Sequence, residues 1–231
     1  MIWLGIDTSS SPLTVGIVKD DQLLIEETQN LKINHSLTAM PLVEELMEKA
    51  GVTAKQLTHI AVGEGPGSYT GVRIGLTIAK TLAWTLGIPL HPVSSLKLLA
   101  ANEEGFDGIV CPVVDARRGT AFTAAYEGKG LTVVYEDHHT EMQGFLLKLK
   151  EMERTVLFTG SDVEVHRQVI EELLGEHAQF SHPLNRLPRA GQLIHLAMQG
   201  EPIEAHAATP EYRRITEAEA NYEKSQAGGS V

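Results

Sequence analysis

The chain has 231 residues, 42% of them hydrophobic, enough to bury one large core or two small ones, which excludes a disordered class. One cysteine excludes a disulfide framework. A net charge of -11, from 19 Lys and Arg against 30 Asp and Glu with no basic run, excludes unaided binding to a phosphate backbone. Met1 to Asp7 lacks the charged start and long apolar stretch of a signal peptide, and no run of about eighteen apolar residues occurs. The expectation is a soluble cytoplasmic protein without membrane contact.

In chain order, Ile2 to Asp7, Leu13 to Val18 and Gln22 to Glu27 read as strands of a meander, the last two joined by Lys19-Asp20-Asp21. A helix follows from about Ser36, which serves as its cap, to Ala50, with Pro41 near its first turn. A strand His59 to Gly63, a glycine-rich turn, a helix Gly71 to Leu86 and a strand Pro89 to Val93 come next, then a helix opening at Ser94 or Ser95. From residue 109 the order recurs. Strands Ile109 to Val114, Thr120 to Tyr126 and Leu131 to Tyr135 precede a helix from Glu141 to Met152. Strand Thr155 to Thr159, helix Val163 to Leu174, strand Gln179 to His182 and helix Ala190 to Met198 complete it. Cys111, inside an apolar strand, reads as a buried hydrophobe.

The element order βββαβαβα thus occurs twice without a visible repeat of residues. That layout is an α/β fold of two tandem ribonuclease-H-like lobes, as in the actin-like ATPase (ASKHA) fold of actin and sugar kinases. Residues 1–103 form an N-terminal lobe and residues 104–231 a C-terminal one, hinged at the polar stretch Asn102 to Gly108. From about residue 215 the chain reads as a flexible tail. A shared layout does not fix a function.

The glycine-rich segment Gly63 to Gly75 joins a strand to a helix. Its glycines suit either a tight structural turn or an anion site at a helix N-terminus. It is not a P-loop, because no Gly-Lys-Ser/Thr follows and Lys80 lies well inside the helix, and it is not a clean dinucleotide fingerprint. The ten histidines show no i, i+4 pairing, His35 precedes a helix, and His138-His139 read as a turn.

Within this segment Gly65, Pro66, Gly67, Ser68, Gly71, Arg73 and Gly75, with Ala79-Lys80 after them, closely resemble the signature of the TsaB/YeaZ family. Leu4-Gly5-Ile6-Asp7-Thr8-Ser9, His35-Ser36, Pro92-Val93-Ser94-Ser95-Leu96 and Pro210-Glu211-Tyr212-Arg213 agree with it in order. The resemblance implies a non-catalytic subunit needed for threonylcarbamoylation of adenosine 37 in tRNAs reading codons that begin with adenine. It implies binding and activation of a TsaD-type catalytic subunit and recruitment of a TsaE-type ATPase. It also implies a homodimer in isolation and tRNA contact only through the complex.

TsaD-type sequences carry a His-x-x-x-His metal pair after the second helix. Aligned through Pro92-Val93, those positions fall at Ser95 and Leu99, which cannot hold a metal, so no metal is expected. An actin-like ATPase places acidic residues and small loops at the end of each lobe's first strand. Here Asp7, Thr8 and Ser9 allow a nucleotide contact, so weak ATP or ADP binding in the complex stays open. In the second lobe Arg117 occupies the small-residue position of Asp115-Ala116-Arg117-Arg118-Gly119. No cofactor is expected, and the alternative is an actin-like small-molecule kinase or ATPase.

At about 100° per residue, Ala39, Val43, Leu46 and Ala50 share one face of the first long helix, and Leu37, Met40 and Met47 lie on another. On the second, Trp84 falls with Arg73, Thr77 and Lys80. The resemblance implies that these two helices carry the partner interface, and Leu37, Met40, Met47, Arg73 and Trp84 are its expected residues.

Overall fold

Short apolar runs separated by turns form two five-stranded sheets, and the central runs Ile2–Asp7 and Ile109–Asp115 are buried along nearly their whole length. The computed structural model of the protein describes residues 1–31 and 34–210. In the first sheet β1 (Ile2–Asp7), β2 (Leu13–Lys19) and β3 (Gln22–Gln29) are antiparallel, and β4 (His59–Gly63) and β5 (Leu90–Val93) extend β1 in parallel. The second contains β6 (Ile109–Asp115), β7 (Thr120–Glu127), β8 (Val133–Glu141), β9 (Val156–Thr159) and β10 (Ala178–Phe180). The strand orders, β3-β2-β1-β4-β5 and β10-β9-β6-β7-β8, mirror each other as two ribonuclease-H-like lobes require. Among the described residues six helices cover them: α1 (His35–Lys49), α2 (Tyr69–Leu86), α3 (Ser95–Ala100), α4 (Met142–Lys150), α5 (Val163–Leu174) and α6 (Ala190–Gln199).

The period of two decides which core each strand residue enters. From β1, Ile2, Leu4 and Ile6 join the core beneath α1 and α2, whereas Trp3 faces a second core between the sheets. From β6, Ile109, Cys111 and Val113 pack under α4 and α5, and Val110 and Val114 turn to the shared core. Burial pushes the Cys111 thiol up to about 12, so no thiolate forms there near neutral pH.

The split at residue 103 separates the sheets but not the helices. α6 packs on β1 and β2, and α3 packs on β6 and β7, so each lobe sends one helix to the other's sheet. Gly5 and Gly16, paired across β1 and β2, make room for α6: a Cβ on them would lie 2.9 Å from Ile194 Cγ1 and 2.8 Å from the Ala190 Cβ. Hydrogen bonds hold the lobes together. The Ser94 hydroxyl donates to Asp137 Oδ2 at 2.5 Å, and within the second lobe the Tyr126 hydroxyl holds that carboxylate by donating to Asp137 Oδ1 at 2.7 Å. Asn102 Nδ2 donates to the carbonyls of Asn185 and Leu187.

Local details differ from the sequence reading where a side chain has a distant partner. The cap of α1 is Asn34, whose side chain accepts from Ser36 N, so Ser36 lies inside the first turn. His138 and His139 are not in a turn but on β8, which runs six residues past Tyr135. The His138 ring meets Phe145 edge-on and the His139 ring tilts against Phe122, so aromatic contacts extend the strand. The tail expected from about residue 215 lies outside the described residues, as does most of Pro210-Glu211-Tyr212-Arg213.

A cluster of rings under α6 ties stability to pH. Trp3 stacks on His59 with centroids 4.2 Å apart and tilts against His91 at 4.7 Å. Burial lowers the pKa of both histidines, helped for His59 by the Met1 ammonium and for His91 by His59; the Ala197 carbonyl and Glu201 oppose it at His91. The unfolded chain therefore binds more protons below the ordinary value of 6.5, so stability is full above it and falls as pH drops toward the folded values. Urea midpoints are expected to fall less for His91→Phe than for wild type between about pH 7.5 and about pH 5.5. Equal losses would remove His91 from the account.

Candidate functional site: the glycine loop and the two long helices

Glycine recurs every fourth residue, at Gly63, Gly67, Gly71 and Gly75, along the end of β4, the loop and the first turns of α2. All four face one tripeptide. A Cβ on Gly63 would lie 2.3 Å from Asp7 Oδ2, on Gly67 2.1 Å from the Ser9 carbonyl oxygen, and on Gly71 2.2 Å from that of Thr8. On Gly75 it would lie 2.5 Å from Thr8 Oγ1. The glycines thus clear the space into which the end of β1 fits. Gly65, at φ 99°, is the position whose backbone itself calls for glycine.

Hydrogen bonds fix the fit. Ser9 N donates to Asp7 Oδ1 at 2.6 Å, and Ser68 N donates to the Ser9 carbonyl at 2.6 Å. The Ser68 hydroxyl caps α2 by accepting from Gly71 N. Thr8 Oγ1 donates to the Gly71 carbonyl at 2.6 Å and accepts from Gly75 N at 2.9 Å. Burial raises the Asp7 pKa, against the opposing effect of hydrogen bonds from Ser9 and Ser95 and the charge of His35.

Asp7, Thr8 and Ser9, the positions expected to meet a nucleotide, are each no more than 3% exposed. The Thr8 side chain bonds α2, and that of Asp7 accepts from Ser9 N within the tripeptide. A cleft of about 460 Å³ opens beside them, lined by Ser10, Ser11, Asn34, His35, Ser68 and Thr70 among others, and none of the three lines it.

At the positions aligned with a metal pair, Ser95 and Leu99 are both buried, and the Ser95 hydroxyl accepts from Gly65 N at 3.2 Å. Leu99 belongs to the core between the sheets. Among the described residues no three His, Cys, Asp or Glu side chains gather as a metal site would need. In the second lobe Arg117, Arg118 and Gly119 all have positive φ in the tight turn between β6 and β7, and both arginines are exposed. Asp115 bonds the buried His166 at 3.0 Å and does not stand open to solvent alone.

The other side of α1 and α2 is open. Trp84 is 78% exposed and Leu37 71%. The Arg73 guanidinium lies over the Tyr69 ring, 4.4 Å from its centroid, and Tyr69 is itself half exposed. Met40 and Met47 are half-buried, packed at the edge of the core under α1, so they border the face instead of projecting from it. The sequence reading missed Tyr69, although its i, i+4 spacing to Arg73 was the available signal.

The glycine contacts yield a paired prediction. Gly67→Ala drives a methyl group into a backbone carbonyl and is expected to destabilise the protein by ~3 kcal/mol in urea titrations. Gly144→Ala, in α4 with nothing near its added methyl, should be neutral or stabilise by up to ~1 kcal/mol. Similar effects at the two positions would contradict the steric account.

Residues 23–222 match a family model described as TsaD, tRNA N6-adenosine threonylcarbamoyltransferase. The tRNA threonylcarbamoyladenosine biosynthesis protein TsaB of Bacillus subtilis is 42% identical over 228 residues, 98% of this chain and 100% of that protein. Among solved structures, YeaZ from Pseudomonas aeruginosa matches with a TM-score of 0.75 and 26% identity over 91% of this chain and 99% of that one. The activator of 2-hydroxyisocaproyl-CoA dehydratase from Clostridium difficile, at TM-score 0.51 and 11% identity, shares the fold over 94% of this chain and 100% of that one. The fold is the actin-like one, and the chain belongs to the TsaB/YeaZ family of tRNA threonylcarbamoyladenosine biosynthesis proteins.

Proposed function

We propose that this protein is the non-catalytic subunit of the complex that transfers threonylcarbamoyl to adenosine 37 of tRNAs reading codons that begin with adenine. It binds and activates a TsaD-type catalytic subunit through the open face of α1 and α2, and a TsaE-type ATPase joins the assembly. In isolation the same face pairs with a second copy. An acidic chain of net charge -11 reaches tRNA only through the complex, and it acts in the cytoplasm. Among the described residues no helix is long and apolar enough to cross a membrane. Any ATP or ADP contact forms weakly, in the assembled complex.

The observation that carries this reading is the exposure of Trp84 on a helix whose opposite side is pinned by Thr8. A tryptophan left in water offers a large area for burial, and such residues dominate binding at interface centres. Leu37 and the Tyr69–Arg73 pair lie on the same two helices, and Met40 and Met47 border them.

Two measurements test it. Folded Trp84→Ala and Met47→Glu variants are expected to bind a TsaD-type subunit at least about tenfold more weakly in calorimetric titrations; undiminished binding removes the interface. A reconstituted mixture should form threonylcarbamoyladenosine only with this chain present. Full product formation in its absence, or robust ATP turnover by the chain alone, would favour the actin-like kinase or ATPase alternative.

A further inference from the structure

In an uninterrupted α-helix the Gly75 amide donates to the Gly71 carbonyl, four residues earlier. Here Thr8 Oγ1 lies within hydrogen-bonding distance of both groups, donating to the carbonyl at 2.6 Å and accepting from the amide at 2.9 Å. A side chain inserted into the helical ladder is one of the few physical causes of helix bending. Two poor helix formers stand on either side of the insertion, and a Cβ at Gly75 would lie 2.5 Å from the same hydroxyl oxygen.

We infer that the Thr8 hydroxyl is a wedge that sets the course of α2, which makes Thr8 a positioning residue for partner binding through Trp84. The inference rests on the interface reading above. Beyond Gly75 the helix packs on the core through Leu76, Ala79 and Ala83, with Ile78, Leu82 and Leu86 along its edge, so a change of direction in its first two turns shifts that whole packed face and carries Trp84 with it. Trp84 lies nine residues past Gly75, roughly 14 Å along the axis, and a tilt of roughly 10° at the wedge moves it by roughly 2 Å. A displacement of that size misplaces a tryptophan against a packed partner surface.

Three variants separate the wedge from simple packing. Thr8→Ser keeps the hydroxyl, and Thr8→Val keeps the shape but removes it. The double variant Thr8→Ala with Gly75→Ala lets the ladder close, because the new methyl would lie 3.7 Å from the remaining Cβ of residue 8, an ordinary contact. Each is measured for thermal unfolding, for affinity to a TsaD-type subunit, and for Trp84 position in a crystal structure. Thr8→Ser should bind within about twofold of wild type. Thr8→Val and the double variant should fold, bind about tenfold more weakly and show Trp84 displaced by roughly 1–2 Å. If Thr8→Val does not fold, the double variant decides.

Wild-type affinity with Trp84 in place overturns the wedge. Trp84→Ala, run in parallel, separates the two failures. If it weakens binding while the Thr8 variants do not, the wedge is wrong and the interface stands. If it leaves binding unchanged, the interface reading fails, and the crystallographic position of Trp84 still judges the wedge.

Discussion

The contact between Asp7-Thr8-Ser9 and the four glycines that face it organises the first lobe. It joins the end of β1 to the loop after β4 and to the start of α2, which follow it by more than fifty residues. Such close approach is possible only where no Cβ intervenes, and here that condition is met four times at a spacing of four residues, against backbone carbonyls at Gly67 and Gly71 and against side-chain oxygens at Gly63 and Gly75. The helix accepts unfavourable glycines in its first turns, and the end of β1 supplies the hydrogen bonds that secure it.

That packing uses the place where an actin-like ATPase would present an acid and a hydroxyl to a nucleotide. Asp7 and Thr8 turn inward, Ser95 binds the loop, and the lobes are tied by the Ser94–Asp137 bond and by the exchange of α3 and α6. The interior is committed to holding itself together. Leu37 on α1 and Trp84 on α2, by contrast, are exposed. In this member of the fold, the helix that Thr8 pins on one side leaves Trp84 exposed on the other.

Much of this was legible in the residues. Continuous apolar runs in Ile2 to Asp7 and Ile109 to Val114 located both central strands, and Gly87 closed α2 in the left-handed conformation expected of a C-terminal glycine. What was hidden depended on partners far away in the chain. Nothing in the sequence Asp7-Thr8-Ser9 announces that Gly71 and Gly75 pack against it. His138-His139 read as a turn because the Phe122 and Phe145 rings that hold them in β8 are not neighbours in sequence. The exchange of α3 and α6 leaves no local trace, since an amphipathic helix does not specify which sheet it covers. Met40 and Met47 illustrate the limit of a helical wheel, which places side chains around an axis but not at a depth.

Native-state hydrogen exchange tests the central claim most directly. If the end of β1 and the start of α2 form one locked unit, the amides of Ser9, Ser68 and Gly75 should exchange only through global unfolding, with the same free energy as those in the middle of β1. Exchange of Ser68 and Gly75 through a local opening of much lower free energy than that of β1 would show that the glycine loop is not locked, and would contradict the account.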